Sequence, residues 1–284
     1  MGAPTHITTD REGRTATLAG FRAEHPPRTW TIEGMPWRYL ALGTGDQTLV
    51  SLTGALGIAD LGWYQLEQLA QRFRLIAPDY PPVHSMAALA DGIAAIMDHE
   101  GISRAAVQGG SYGGMLAQVL VRRHPARVDR LILSHTGPPA PDSGRKLQRL
   151  LPLLRILPGG MLRGLLKRSL SRLEPPEDAQ DVERYYAPYR EAMDRISKPD
   201  ILAMYLRAVD YLTNYSFTAQ DLAGWGSRVL IMLAEDDPAT PEPVREELVR
   251  LYPGAQVKLF QGTGHAAALL KQEEYTATIE GFLA

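Results

Sequence analysis

Residues 105–123 constrain the fold of this chain more than any other stretch. They run Ala105-Ala106-Val107-Gln108-Gly109-Gly110-Ser111-Tyr112-Gly113-Gly114, then Met115 to Arg123. The apolar start predicts a buried strand, and Met115 to Arg123 predicts a helix leaving it directly. A strand that passes into a helix with no loop between them needs a very tight turn. Glycines two before and two after Ser111 remove the Cβ atoms that would clash there. Such a turn holds its central residue in a strained backbone conformation. The strain lifts the Ser111 hydroxyl clear of the chain, at a helix N-terminus where developing negative charge is favoured. An incidental serine in a glycine-rich turn would need neither the strand before it nor the helix behind it.

Elsewhere strand and helix patterns alternate. Residues 1–27 read as a loosely packed arm ending in His25-Pro26-Pro27, and Arg28 to Leu42 as a hairpin about Gly34. Thr48–Leu52, Arg74–Ala77, Val128–Ser134, Arg228–Leu233 and Val257–Phe260 read as further strands. Asp60–Arg72, Ser85–His99 and His265–Phe282 carry helical spacing, and Thr240-Pro241 reads as a capped helix start. Strands alternating with helices imply a mostly parallel sheet covered on both faces. Residues 138–226 break the pattern and read as helices only. Within them, residues 143–173 hold eight Lys or Arg and no acid among many leucines. That segment could lie on an anionic membrane surface. Helices apolar toward the rest of the protein and basic toward water fit better, because residues 174–200 return eight acids against four bases.

A serine hydroxyl is a poor nucleophile near neutral pH. It needs a histidine base, and the base needs a carboxylate to fix its tautomer. Both stand at strand ends, where open α/β sheets bind ligands. Ala234-Glu235-Asp236-Asp237 follows one strand, and Gly262-Thr263-Gly264-His265 follows the last. His135, also just past a strand, is a candidate substrate contact. Tyr185, Tyr189, Tyr205 and Tyr211 are candidates for the wall of an apolar pocket over Ser111.

With these motifs in place, the chain resembles α/β-hydrolases of the serine esterase and peptidase type over residues 28–284. The resemblance implies an α/β fold with a mostly parallel eight-stranded sheet flanked by helices. Residues 1–137 and 227–284 would form the core, and 138–226 a helical cap inserted before the penultimate strands. It implies a triad of Ser111, Asp237 and His265, with Asp236 the alternative acid; Ala234 stands where relatives carry glycine in a Gly-x-x-Asp turn. The oxyanion hole would use the backbone N–H groups of Ala55 and Tyr112. Thr53-Gly54-Ala55 replaces the family's His-Gly-x, and Tyr80 to Ser85 replaces a common Gly-x-Gly-x-Ser run. That second departure is similar to maspardin-like hydrolases.

The implied activity is cleavage of carboxylic esters of a small to medium hydrophobic substrate through an acyl-enzyme. The nucleophile turn also resembles that of prolyl iminopeptidases, though their His-Gly-Gly-Pro-Gly loop is missing; a non-catalytic binding protein on the same fold is the third reading. No metal-ligand spacing and no cofactor motif stand out, so no metal or cofactor is expected. A net charge of −2 gives no sign of a nucleic-acid partner, which leaves a small-molecule substrate. No run is apolar enough to span a membrane, there are no cysteines, and the N-terminus lacks a signal-peptide pattern. A cytoplasmic protein is expected.

Overall fold

The computed structural model describes residues 17–173 and 182–284, with residues 182–185 described as backbone alone. The chain opens with α1 (Leu18–Glu24), the hairpin β1 (Arg28–Ile32) and β2 (Met35–Leu42), then β3 (Thr48–Leu52) and α2 (Trp63–Ala70). It continues with β4 (Arg74–Pro78), α3 (Met86–His99), β5 (Ala105–Gly110), α4 (Tyr112–Arg123) and β6 (Val128–Ser134). Four helices follow: α5 (Pro141–Ile156), α6 (Gly159–Leu170), α7 (Val182–Arg195) and α8 (Lys198–Asn214). The last elements are β7 (Val229–Ala234), α9 (Glu242–Leu251), β8 (Gln256–Phe260), α10 (Ala267–Leu270) and α11 (Gln272–Leu283).

The eight strands form one sheet in the order β1-β2-β4-β3-β5-β6-β7-β8. Only the pairs involving β2 are antiparallel. Alternation along the strands sends side chains to two apolar layers. Val50, Ile76, Val107, Leu131 and Ile231 pack toward α3, α4 and the inserted helices. Leu49, Leu75, Ala106, Ile132 and Leu230 pack with Phe21, Trp63, Leu69 and Ile279 of α1, α2 and α11. The chain steps from β3 outward to β4, then returns past β3 to β5. The carboxyl ends of β3 and β5 therefore border a topological switch point, where open α/β sheets form their ligand crevice.

Three expectations change. Residues 18–24 are not a loose arm: α1 buries Phe21 completely, and Arg22 grips the buried Asp60 carboxylate through Nε (2.8 Å) and an Nη (3.1 Å). Thr240 does not cap the next helix. Its hydroxyl instead donates to Asp237 Oδ2 at 2.8 Å, and α9 starts without a side-chain cap. The final helix is broken at Lys271 into α10 and α11.

The inserted helices pack on one another and against α3. Arg207 of α8 ties them to the core. Fully buried, it donates to Tyr112 Oη (2.9 Å) and to the carbonyls of Pro81 (2.8 Å) and Val83 (2.9 Å). The unusual Tyr80–Ser85 loop thus serves as an anchor for α8. The outer face of α5 and α6 is less polar than expected, for Leu150, Leu153, Ile156, Met161 and Leu165 are exposed beside the basic residues.

Candidate active site

Ser111 sits between β5 and α4 with φ +52° and ψ −117°, a conformation that costs a non-glycine residue about 1–3 kcal/mol. Its backbone N–H donates to the Ser134 carbonyl at 2.8 Å, which fixes the turn against β6. The glycines act by close approach. A Cβ on Gly113 would lie 2.2 Å from the Leu52 carbonyl oxygen, and one on Gly109 would lie 2.2 Å from the Gly113 oxygen. Without Cβ atoms there, the first turn of α4 presses onto the end of β3, and the Tyr112 N–H stands near the loop that follows β3.

That loop is well supported despite lacking the histidine of its relatives. Thr53 Oγ1 donates to the Ile58 carbonyl (3.2 Å), the Tyr80 hydroxyl donates to the Thr53 carbonyl (2.7 Å), and the Gly57 N–H closes a turn on Gly54 (3.1 Å). The backbone N–H groups of Ala55 and Tyr112 have no hydrogen-bond acceptor among the described residues. Both remain available to an incoming oxygen.

His265 follows the positive-φ Gly264 after β8. Its Nδ1 lies 3.0 Å from Asp237 Oδ1 and 2.9 Å from Oδ2. Asp237 is fully buried at its side chain and also accepts from the Ala239 N–H (2.8 Å) and the Thr240 hydroxyl. Burial pushes the Asp237 carboxyl up, but the His265 hydrogen bond and charge and the two further donors outweigh it and hold it below the usual carboxylate range. An ionised carboxylate only accepts, so the proton of neutral His265 resides on Nδ1 and Nε2 carries the free lone pair. Asp236 has a different task. It accepts from the Gly264 N–H (3.0 Å) and the Thr263 N–H (3.4 Å) and so tethers the loop that carries His265. Both acids of the Asp236-Asp237 pair reach this site, one on the imidazole and one on the backbone.

A cavity of 230 Å³ joins these elements. Ser111, Ala55, His135 and His265 line it, with Tyr186, Tyr189 and Met193 of α7. The Ser111 hydroxyl neither caps α4 nor bonds to another side chain among the described residues. Nucleophile–base hydrogen bonds often close only around substrate.

His135 is buried with φ +48°, and its ring stands perpendicular to that of His265 at 5.6 Å. Burial, reinforced by His265, pushes its pKa down to about 4, so it is neutral at pH 7. Of the four tyrosines, Tyr189 reaches the cavity and the Tyr185 side chain lies outside the described residues. Tyr205 and Tyr211 do not line it. Tyr211 is buried on α8 with its hydroxyl on the Gly137 carbonyl (2.9 Å), and Tyr205 packs within the helical layer. Tyr186, another tyrosine of the insertion, also lines the cavity, and sequence reasoning missed the polar residues Ser51, Gln65 and Gln108 of its wall. Gln108 carried a signal: it is the one polar side chain in an apolar strand.

Glu24, His25 and Glu67 bring potential metal-ligand atoms within 4.8 Å of one another across α1 and α2, outside the cavity. Both glutamates have other partners. No helix among the described residues is long and apolar enough to cross a membrane.

A strained serine at the switch point of an eight-stranded, mostly parallel sheet defines an α/β-hydrolase fold. The model of the family named for the alpha/beta hydrolase fold matches residues 47–272, and the chain belongs to that family. One relative is the putative carbamate hydrolase RutD of Caulobacter sp. (strain K31), 24% identical over 265 residues and covering 89% of this chain and 97% of its own. Among solved structures, a thermophilic esterase from Thermogutta terrifontis superposes with TM-score 0.71 at 21% identity, covering 91% of this chain and 97% of its own. The enol-lactonase from Burkholderia xenovorans LB400 superposes with TM-score 0.72 at 18% identity, covering 90% and 99%.

Proposed function

We propose that the protein is a serine hydrolase acting on small carboxylic esters, with Ser111 as nucleophile, His265 as base and Asp237 as orienting acid. One observation carries the reading: a serine held at φ +52° shares a cavity wall with a histidine whose other nitrogen is fixed by a buried carboxylate. Ser111 Oγ attacks the ester carbonyl carbon while His265 Nε2 takes its proton. The carbonyl oxygen becomes an oxyanion facing the N–H groups of Ala55 and Tyr112, with the α4 N-terminus behind. Collapse breaks the C–O bond, and His265 returns the proton to the departing alcohol. Water, deprotonated by His265, then releases the acid from Ser111 and restores the enzyme.

Residues 138–226 serve as the cap in this reading. The cavity is smaller than the ~300–1,000 Å³ typical of sites for drug-sized ligands, which favours compact substrates. A compact carbamate, the class printed in the name of the Caulobacter relative, fits the same chemistry. An aminopeptidase is less well supported, because among the described residues no Asp or Glu lines the cavity to hold a substrate ammonium.

The test pairs fluorophosphonate labelling with a chromogenic ester panel. Covalent labelling at Ser111, blocked in Ser111→Ala, together with turnover of short-chain esters, is the expected result. An unlabelled protein that cleaves no ester refutes the reading.

A further inference from the structure

The cavity does not end at Ser111. It runs down the sheet face between α2 and α11, and its floor there is polar. Ser51 and Gln108 are register partners on β3 and β5 and stand side by side. Gln108 Nε2 donates to Ser51 Oγ at 2.8 Å, and its Oε1 has no partner. Whichever way round the amide stands, one of its two polar atoms faces the cavity unpaired. Ser134 Oγ lies 2.7 Å from His135 Nδ1, leaving His135 Nε2 without a partner. Gln65 of α2 reaches the same floor, where it and Ser134 hydrogen-bond the buried Tyr275 hydroxyl. Gln108 and His135 are only 6% and 5% exposed, so protein surrounds these groups.

We propose that this floor is an acyl subsite built for a neutral group that both donates and accepts hydrogen bonds, a primary carboxamide on a short acyl chain. The inference rests on Ser111 being the nucleophile, since that residue sets where the acyl chain begins. Three observations select the group. Among the described residues no Lys, Arg, Asp or Glu lines this floor, and none stands beside Gln108 or His135 to offer a charged tip a counter-charge in place of its lost water. A hydrocarbon tip would strip water from Gln108 Oε1 and His135 Nε2 and return no hydrogen bond. A carboxamide offers two donors and an acceptor and can meet the Gln108 amide and either tautomer of the neutral His135. Gln108 stands three residues before Ser111, roughly 10 Å along β5, so the polar tip lies several bonds from the scissile carbonyl. The 230 Å³ cavity favours a short chain.

The experiment uses the full-length protein and p-nitrophenyl esters of glutaramic and adipamic acids. Matched esters carry an isopropyl group, or a free carboxylate, where these carry the carboxamide. The expected kcat/KM favours the carboxamide over the isopropyl ester by about tenfold or more, with the carboxylate poorest. Gln108→Met should erase most of that preference. Gln65→Met, on α2 and remote from the Ser111 turn, is the second variant should Gln108→Met fail to take the fluorophosphonate label. Loss of the preference in either variant supports the subsite. Equal or faster turnover of the isopropyl or carboxylate ester by the parent protein overturns it, as does a preference that survives both substitutions. Ser111 labelling separates two failures: labelled protein without carboxamide preference sinks the subsite alone, whereas unlabelled protein that cleaves no ester sinks the esterase reading beneath it.

Discussion

The sheet's carboxyl edge and the inserted helices build opposite halves of one cavity in different ways. The edge supplies its hydroxyls, amides and imidazoles: Ser51, Gln65, Gln108, Ser111, Ser134, His135 and His265 all belong to it or to α2 beside it. The insertion adds Leu170, Leu173, Tyr186, Tyr189 and Met193, side chains that are mainly apolar surface. The edge also holds two non-glycine residues at positive φ, Ser111 and His135, each tied into a neighbouring strand by a backbone hydrogen bond. The insertion holds none among its described residues and leaves five large apolar side chains exposed. Groups that must be placed to fractions of an ångström are carried where backbone pairing over-determines their position. Groups that need only fill space are carried by helices packed over that edge. Substitutions at the edge should therefore abolish turnover, while those in the insertion redirect it.

The largest break in that comparison is Ser111→Ala, expected to lower kcat for a good ester on the order of 10⁴-fold or more without unfolding the protein. Steady-state rates beside a thermal melt check it. Turnover within tenfold of the parent would remove the sheet edge from the chemistry. A second test divides the edge itself. Asp237→Asn should cost about 10⁴-fold, because it forces the wrong His265 tautomer. Asp236→Asn should cost roughly 100-fold at most, through displacement of the loop it tethers. The reverse order would reassign the acid.

The fold and these groups differ in how far the sequence reveals them. Ser111 and His265 were legible because tight strand-to-helix and strand-to-loop turns leave glycines at fixed offsets. The strands were legible because burial on both faces gives continuous apolar runs. Asp237 as the partner of His265 followed the Gly-x-x-Asp resemblance, but the hold of Asp236 on the Thr263 and Gly264 N–H groups was not legible, since that contact exists only once the loop folds over it. Nor was the α1 packing: a single Phe21 and a long-range Arg22–Asp60 pair leave no periodic trace. The tyrosines failed for a related reason. A helix's composition does not say which of its tyrosines meets the cavity, and Tyr211 turned inward to the Gly137 carbonyl.

A third prediction concerns His135, whose folded pKa of about 4 lies below the ordinary histidine value near 6.5. The native state binds fewer protons there than the unfolded chain. The stability His135 contributes is thus present above pH ~6.5 and lost as pH falls toward 4, by at most about 3 kcal/mol. Asp79 opposes this. Burial raises it to about 6, so acidification below 6 relieves the cost of its buried charge. His135→Asn tolerates the positive φ and removes only the first effect. In urea unfolding, the parent should lose stability relative to this variant between pH 7 and pH 4. A difference that stays constant with pH would mean that His135 is not held neutral by its surroundings.

The smallest effect belongs to the insertion, where Tyr186 and Tyr189 stack at 5.5 Å and form part of its side of the cavity. Tyr189→Ala and Tyr186→Ala each remove apolar wall without touching Ser111, His265 or the Ala55 and Tyr112 N–H groups. One missing packing element shifts discrimination between substrates by roughly 1–3 kcal/mol. The ratio of kcat/KM for a branched ester over acetate should therefore move about tenfold in each variant, while turnover of acetate persists. Tyr205→Ala, on α8 and outside the cavity, serves as the control and should leave the ratio within about twofold. Should Tyr205→Ala shift selectivity as much as Tyr189→Ala, the insertion acts through its overall packing on the core rather than as a wall. The Tyr112 hydroxyl would then be the route to examine, because it accepts from Arg207 and donates to the Met204 carbonyl, two buried hydrogen bonds that join α8 to the turn carrying Ser111.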